Sequence, residues 1–277
     1  MTLLTVIPWR VAGDNAAPGG GPDGSPDGGP DGGTAPPRAA AGAAMAWAPA
    51  VGLLLGVIAS AVLLLADHPL GAGPLTASGL AVGSLALLTR GLHLDGLADL
   101  ADGLASGKPA PAALDIMRRS DIGPLGVVTL VLTLLLQVAA LSQAESAGHG
   151  RGPAALIAAV VTGRLALTWA CRRGVPAARP DGLGALVAGS VRPVVPAVAT
   201  AVTLAAAGAA VAISAAEAGG QLGWTLPLAV AAGLAVAFAV QRHAVRRLGG
   251  ITGDVLGALA EIATTVTLVV AAMGPPA

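Results

Sequence analysis

The chain has 277 residues, of which 55% are apolar and only 11% are charged, and its mean hydropathy is +0.78. Soluble domains carry about a quarter charged residues, so the composition excludes a disordered protein and an ordinary soluble domain. Basic and acidic residues balance at 15 each, which excludes a nucleic-acid binder that relies on bulk positive charge. The single cysteine, Cys171, allows no internal disulfide and no cysteine-cluster metal site.

The amino-terminal region divides into two parts before the long apolar stretches begin. Residues 1–12 are expected to lie at the membrane interface, because this apolar segment lacks the basic leader and cleavage site of a signal peptide. Residues 13–39 contain a repeat of Pro, Asp and Gly that can bury nothing, and a flexible linker is expected there. Residues 40–277 are expected to form one transmembrane domain.

Long apolar stretches fill that domain, and each approaches the ~20 residues that a helix needs to cross ~30 Å of hydrocarbon. Lipid offers no hydrogen-bond partner to the edge of an open sheet, so helices are predicted rather than strands. The sequence thus predicts an all-α, polytopic membrane bundle of about seven transmembrane helices, near residues 44–66, 70–89, 123–143, 153–171, 194–215, 224–240 and 255–273.

Charged residues gather on one side of this predicted bundle. If the amino terminus is cytoplasmic, 13 of the 15 basic residues fall on the cytoplasmic side, as the positive-inside rule requires. The same side also receives 11 of the 15 acidic residues. A simple anchor needs no carboxylates there, so we expect a cell (inner) membrane protein with its functional loops and amino terminus in the cytoplasm.

The segment LTRGLHLDGLADLADGL, residues 88–104, carries aspartates on one helical face. At about 100° per residue, Asp95, Asp99 and Asp102 fall within a wedge of roughly 60°, opposite the leucines. An amphipathic acidic helix on the cytosolic side is therefore expected. No basic neighbour relieves the repulsion, which favours Mg²⁺ shared with substrate phosphates, and a solvated acidic face is the alternative. His93 projects at about 160° from the stripe; it is either structural or a proton-transfer or substrate contact.

A second motif is RRLGGITGDVLGALAE, residues 246–261. Its glycines permit close backbone approach to a ligand, and a threonine is expected to cap the following helix, whose free N–H groups would attract phosphate. The absence of a following GKS or GKT excludes a P-loop. Asp254 has two interpretations: it caps the helix, or it acts as a metal ligand or catalytic residue. The phosphate-binding candidates of this segment are Arg246, Arg247, Gly250, Thr252 and Gly253.

Two charged residues fall inside apolar stretches, where an unpaired charge costs several kcal/mol. Arg164 is expected to contact a substrate phosphate, Glu261 or an aspartate of the acidic helix, with snorkelling to the interface as the alternative. Glu261 is either functional or a polar contact between helices. The loop segments IMRRSDIGPLG and ARPDGLGA add further phosphate-binding candidates, Arg118, Arg119 and Arg179. This combination predicts magnesium-assisted transfer at a phosphate or diphosphate.

Three segments, GLHLDGLADLADG, ARPDGLGA and RRLGGITGDVLGALAE, resemble the signature segments of the cobalamin synthase family. These proteins are adenosylcobinamide-GDP ribazoletransferases, which act in the last stage of nucleotide-loop assembly in vitamin B12 biosynthesis. The resemblance implies an integral membrane transferase that requires Mg²⁺. It also implies adenosylcobinamide-GDP and α-ribazole, or its 5′-phosphate, as substrates, with GMP as the leaving group. The order Arg119, Ser120, Asp121 departs from the Asp-Ser-Arg expected in the family, which puts the role of Arg119 in doubt.

Chemistry then assigns roles within a catalytic domain at residues 40–277. Asp95, Asp99 and Asp102 are expected to hold magnesium, and the catalytic candidates are Asp254, His93 and Glu261. The bilayer and small-molecule substrates are the expected partners, nucleic acid is not, and a homo-oligomer is left open. The alternatives are a CDP-alcohol phosphotransferase or prenyltransferase, whose second acidic stripe is not found here, and a transporter that uses the Arg164–Glu261 pair at mid-membrane.

Overall fold

The computed structural model describes residues 38–119, 121–148, 150–218 and 225–273. Helices dominate these residues, and β-pairing within them is limited to isolated parallel bridges, Arg172 with Val191 and Ala177 with Ile251. The all-α prediction is confirmed. The helices are α1 (Arg38–Ala46), α2 (Ala48–Asp67), α3 (Pro74–Leu88), α4 (Leu92–Ala105), α5 (Ala110–Ile116), α6 (Pro124–Ser146), α7 (Arg151–Ala170), α8 (Gly182–Val187), α9 (Val194–Ala218), α10 (Thr225–Leu248) and α11 (Gly253–Ala272).

The amino-terminal predictions fall mostly outside the described residues. The interfacial segment 1–12 and residues 13–37 of the linker are not among them, so both stay predictions. The last two residues of the linker, Arg38 and Ala39, begin α1. The catalytic domain therefore includes a short helix before its first long apolar helix.

Six helices of the described chain are each long and apolar enough to cross a membrane: α2, α6, α7, α9, α10 and α11. Helix α3 has 15 residues and is short for a span on its own, but together with α4 it forms a further candidate that is bent by 88°. The chain is therefore a multi-pass membrane protein, and its described residues provide six candidate spans, or seven when the bent α3–α4 pair counts as one, in agreement with the predicted number.

The bend between α3 and α4 comes from left-handed backbone at two successive residues. Arg90 has φ of 55° and Gly91 has φ of 67°, and the Gly91 N–H donates to the Ala86 carbonyl at 2.8 Å. This closes the end of α3 in the manner of a helix C-cap. The new helix starts at Leu92, so α4 runs crosswise to α3. The predicted helix over the acidic segment is thereby confirmed, and its cytosolic side stays a prediction.

Small residues let the central helices pack closely. Within the 18-residue apolar segment of each helix, 78% of the residues are buried in α7 and 67% in α11, but only 11% in α9. Helices α7 and α11 therefore lie at the centre of the bundle. Gly52 of α2 faces the Arg164 side chain, and Gly56 faces Ile157, where an added Cβ would lie 3.0 Å from the Ile157 Cα. The Gly52 and Gly56 face of α2 therefore packs closely against α7.

One end of the bundle, which we name the basic end, contains the carboxyl ends of α7 and α10 and the start of α11. Arg172 and Arg173 follow α7, and Arg246 and Arg247 complete α10. The acidic helix α4 packs against the start of α11 at this end. Acidic and basic residues therefore lie close together where the membrane-spanning helices end.

Candidate active site

A cavity of about 410 Å³ lies at the basic end, between α4, α8 and α11. Its lining comes from segments far apart in sequence: the start of α4, the loop before α8, and the turn into α11. The polar lining consists of His93, Asp95, Arg118, Arg179, Asp181, Thr252 and Asp254. The apolar lining consists of Met45, Leu92, Leu167, Leu183, Ile251 and Leu256. The three segments that carry the family resemblance therefore converge on one space.

Helix α4 reaches this position because glycines remove the side chains where it crosses α11. A Cβ added to Gly96 would lie 2.8 Å from the Asp254 carbonyl oxygen, and one added to Gly257 would lie 3.1 Å from the His93 Cα. Only two backbones without side chains between them can approach so closely. The crossing brings the acidic stripe of α4 beside the first turn of α11.

The carboxylates at the crossing influence one another strongly. Burial raises the pKa of Asp99 to about 7, and the negative charges of Asp95, Asp254 and Asp102 add to that rise. Arg179 opposes it. The negative charges around Asp99 mark a set of oxygen donors whose repulsion a hard divalent cation would relieve. Asp95, Asp99 and Asp254 thus supply oxygen donors of the type that Mg²⁺ prefers, but their ligand atoms do not all lie within 4.8 Å of one another in this structure.

Asp102 differs from the other members of the acidic stripe because backbone groups already occupy its carboxylate. Its two oxygens accept hydrogen bonds from the N–H groups of Gly123, at 2.7 Å, and Gly126, at 2.9 Å. Those groups belong to the start of α6, where unpaired N–H groups and the helix dipole favour an anion. In this structure Asp102 caps α6 and ties it to α4.

The start of α11 is built as the sequence predicts. Thr252 is the N-cap, and its hydroxyl oxygen accepts a hydrogen bond from the Val255 N–H at 3.2 Å. The same hydroxyl donates to the Asp254 carboxylate at 3.2 Å. The predicted cap is confirmed, and Thr252, Gly253 and Asp254 all line the cavity.

Gly250 has a structural position beside the cavity rather than on it. A Cβ at this residue would collide with the backbone of Ala177 and Ala178. The adjacent Ile251 donates to the Pro176 carbonyl at 2.9 Å and accepts from the Ala178 N–H at 3.0 Å. This short parallel pairing holds the loop that precedes α8 against the turn into α11.

Two arginines line the cavity on the α8 side. Arg118 donates to both carboxylate oxygens of Asp181, at 2.9 and 3.2 Å, although the two residues are 63 positions apart. The guanidinium of Arg179 donates to the carbonyl of Leu114. Both contacts fasten the end of α5 to the loop before α8, and they leave cationic groups at the cavity wall.

His93 lines the same cavity and is 4% exposed. Its Nδ1 has no hydrogen-bond partner among the described residues. Burial, followed by the positive charge of Arg164, holds the pKa of His93 well below its usual value. The imidazole is therefore neutral near pH 7 and can accept a proton or a hydrogen bond from a ligand.

Arg164 and Glu261 lie apart from this cavity. They line a second, very small cavity of about 20 Å³ between α3, α6, α7 and α11. Arg164 is 4% exposed, so the snorkelling alternative is wrong. Gln137 donates to the Glu261 carboxylate at 2.9 Å and to the Thr265 hydroxyl at 3.0 Å. Gln137 was not predicted from the sequence, although an isolated amide within an apolar stretch could have indicated it.

Asp99 and the remaining predicted residues do not line the cavity. Arg119, Arg246 and Arg247 are exposed, and Ser120, beside Arg119, lies outside the described residues.

The apolar lining of the cavity was not predicted from the sequence, because Met45 and Leu167 belong to helices that are apolar almost throughout. Nothing in their local sequence distinguishes them from lipid-facing or core residues.

Comparison with known proteins decides the family. The sequence model described as cobalamin-5-phosphate synthase matches residues 2–272. The chain belongs to the cobalamin-5-phosphate synthase family. The resemblance carried by the three signature segments is confirmed, and the chain is a transferase of cobalamin biosynthesis. The alternatives of a CDP-alcohol phosphotransferase, a prenyltransferase and a transporter lose their support.

Curated relatives agree over most of the chain. It is 45% identical over 247 residues to an adenosylcobinamide-GDP ribazoletransferase of Frankia casuarinae, an alignment that covers 86% of this chain and 88% of the relative. Proteins of the same name from a Nocardioides species and Bradyrhizobium diazoefficiens are 39% and 38% identical. Those alignments cover 81% and 82% of this chain, and 84% and 82% of the relatives. No solved structure matches the chain.

Proposed function

We propose that the chain is an adenosylcobinamide-GDP ribazoletransferase of the cell (inner) membrane, with its basic end in the cytoplasm. The observation that carries this proposal is the convergence of acidic, arginine-bearing and glycine-rich segments on one cavity at the end of the spans. The names of its relatives supply the substrate class. The acceptor is α-ribazole or its 5′-phosphate.

The proposed reaction replaces a phosphoanhydride bond with a phosphate ester bond. The 3′-hydroxyl oxygen of the ribazole attacks the phosphorus that carries the cobinamide, and the bond from this phosphorus to the bridging oxygen breaks. GMP leaves with that oxygen, the hydroxyl loses its proton, and the product is a phosphodiester that joins cobinamide to ribazole. The charge that develops on the phosphoryl oxygens requires cationic or N–H neighbours.

The cavity offers such neighbours on two sides. Arg118 and Arg179 supply guanidinium groups from the α8 side. On the other side, the free N–H groups at the start of α11, next to Thr252 and Gly253, point a helix dipole at an anion. A diphosphate held between these walls is expected to present its phosphorus to the first turn of α11.

The acidic residues of the site have two tasks. Asp95 and Asp99, with Asp254, would hold Mg²⁺, which when bound would neutralise charge on the diphosphate oxygens. Asp254 accepts one hydroxyl hydrogen bond and lies at the crossing, so it is also our candidate to receive the proton of the attacking hydroxyl. Neutral His93 offers a hydrogen-bond acceptor on the cavity wall.

The apolar wall fits the acceptor better than the nucleotide. Met45, Leu167 and Leu183 contribute apolar surface to the cavity. An aromatic base would bury its faces on such a wall, while its ribose would remain near the polar side. We therefore place the lower base against this wall, with the ribose hydroxyl toward Asp254.

The test is a reconstituted reaction. Purified protein in lipid vesicles receives adenosylcobinamide-GDP with α-ribazole or with its 5′-phosphate, with and without Mg²⁺. We expect equimolar GMP and a cobalamin product, at a rate that Mg²⁺ raises. Absence of both products with either acceptor would contradict the proposed activity.

Paired variants test the site separately. Asp95→Asn is expected to lower kcat at least about 100-fold, because it removes a donor that faces the cavity. The matched control is Asp115→Asn, which alters an exposed aspartate of α5 that does not line the cavity. Equal loss in both variants would show that the effect is not specific to the cavity.

A further inference from the structure

A second groove lies on the opposite face of α4 from the aspartates. Its volume is about 480 Å³, and it opens to the surface between α4, α6 and α10. Leu97, Leu100 and Leu104 line it from α4, and Val236, Val240 and His243 line it from α10. The wall is almost wholly apolar, and its volume falls in the range of ~300–1,000 Å³ that is usual for ligand pockets.

The α10 side of the groove changes from apolar to cationic along one helical stripe. Val236, Val240, His243 and Arg247 follow one another at intervals of four, three and four residues, so they share a face. The stripe ends at the basic end, where the Arg247 guanidinium donates to the Lys108 carbonyl at 3.4 Å. His243 therefore lines the groove, Arg247 follows it one turn later on the same face, and the Lys108 backbone lies beside Arg247.

These basic groups have no carboxylate partner among the described residues. None of the three forms a salt bridge within the described ranges, whereas Arg118 pairs with Asp181. These basic side chains therefore lie without an acidic partner near the end of the spans, beside an apolar groove. Such an arrangement complements a molecule with one long apolar part and one anionic head.

We infer that the groove binds one anionic phospholipid, with an acyl chain between α4 and α10 and its phosphate at Arg247 and Lys108. Polybasic groups beside a span attract anionic lipid, and clefts between transmembrane helices hold such headgroups. The acyl chain packs against the leucines of α4, so the lipid supports the helix that carries the acidic stripe. The lipid site is distinct from the cavity proposed for catalysis.

The experiment counts bound lipids on the whole protein. The protein is placed in nanodiscs of equal parts phosphatidylglycerol and phosphatidylcholine, released, and examined by native mass spectrometry. We expect retention of one phosphatidylglycerol in preference to phosphatidylcholine. Equal retention of the two lipids, or no retained lipid, would overturn the inference.

Two variants and two matched controls locate the lipid. Arg247→Gln should lower phosphatidylglycerol retention about fivefold, the effect expected for loss of one basic contact. Ala239→Trp fills the groove and should abolish retention of both lipids. The controls, Arg242→Gln and Ala235→Trp, alter exposed residues of the same helix that do not line the groove, and should retain lipid as the unmodified chain does. Arg247→Gln changes an exposed residue, so it tests the proposal even if Ala239→Trp does not fold.

Other occupants give different results. If a second copy of the chain fills the groove, Ala239→Trp will convert a dimer to a monomer in the same spectra and leave lipid retention unchanged. If the corrinoid fills it, adenosylcobinamide-GDP will displace the retained phosphatidylglycerol. Either result, or equal effects of Arg247→Gln and Arg242→Gln, would overturn the lipid assignment.

Discussion

Gly96 of α4 lies directly against the backbone of Asp254 at the start of α11. A side chain on Gly96 would place its Cβ 2.8 Å from the Asp254 carbonyl oxygen and 2.9 Å from its Cα. Contacts this short do not occur, so any larger residue must separate the two helices. Asp95 of the acidic stripe and the first turn of α11 share one cavity because this position is a glycine.

Gly96→Ala is therefore expected to weaken both the fold and the site. Overpacking against rigid backbone costs about 1–3 kcal/mol, and the displacement of α4 should lower turnover at least about tenfold. Thermal unfolding in detergent and the GMP release assay measure the two effects. Gly79→Ala is the matched control, because a Cβ on this α3 glycine meets nothing within 4 Å. Comparable losses in Gly79→Ala would show that the crossing is not the cause.

Asp102 gives the clearest distinction between a structural carboxylate and a metal ligand. Because both of its oxygens accept hydrogen bonds from the start of α6, Asp102→Ala should lower the free energy of unfolding by about 2 kcal/mol. Asp102→Asn keeps an acceptor and should lose less. Chemical unfolding and Mg²⁺ calorimetry measure the two roles. Loss of Mg²⁺ binding in Asp102→Asn at unchanged stability would favour the metal-ligand prediction over the capping interpretation.

Glu261 is expected to act on stability more than on turnover. Glu261→Gln preserves an acceptor for Gln137 but leaves the buried Arg164 without a counter-charge, at a cost of about 3–5 kcal/mol. The double variant Arg164→Met with Glu261→Gln should recover much of that loss, because it removes both charges. Unfolding midpoints of the single and double variants provide the measurement. A single variant that is stable but inactive would instead support the catalytic prediction for Glu261.

The raised pKa of Asp99 predicts how Mg²⁺ binding depends on pH. The carboxyl group is protonated below about pH 7, and a proton competes with the cation for the same oxygens. Mg²⁺ affinity should therefore rise as the pH increases from 6 to 8 and level off above that range. Calorimetric titration of the unmodified chain and of Asp99→Asn checks this. The variant should bind weakly with a flatter pH profile, and an unchanged profile would remove Asp99 from the cation site.

Much of the architecture was predictable because local sequence patterns determine it. Long apolar stretches predict spans, and aspartates at helical spacing predict the acidic face of α4. Thr252 was predictable as a cap, since capping depends on neighbours within one turn. The family resemblance was also visible, because its signature segments are short and continuous.

The grouping of side chains was not predictable, since it depends on contacts between distant segments. The sequence placed Asp102 with the other aspartates, but the position of α6 gives its oxygens to backbone N–H groups. It also grouped Arg164 and Glu261 with the phosphate site, whereas the packing of four helices encloses them in a cavity of their own. Helical spacing determines which face a residue occupies but not what lies opposite that face.

By itself, the sequence determined that this chain is a helical membrane protein with an acidic stripe and glycine-rich turns at one end. Hydropathy, helical periodicity and capping are local properties, so a linear reading is enough for them. Tertiary structure alone decided that Asp95, Arg118 and Asp254 share a cavity while Arg164 does not. The reason is steric: the crossing of α4 and α11 at Gly96 and Gly257 sets which residues meet, and no local pattern contains that geometry.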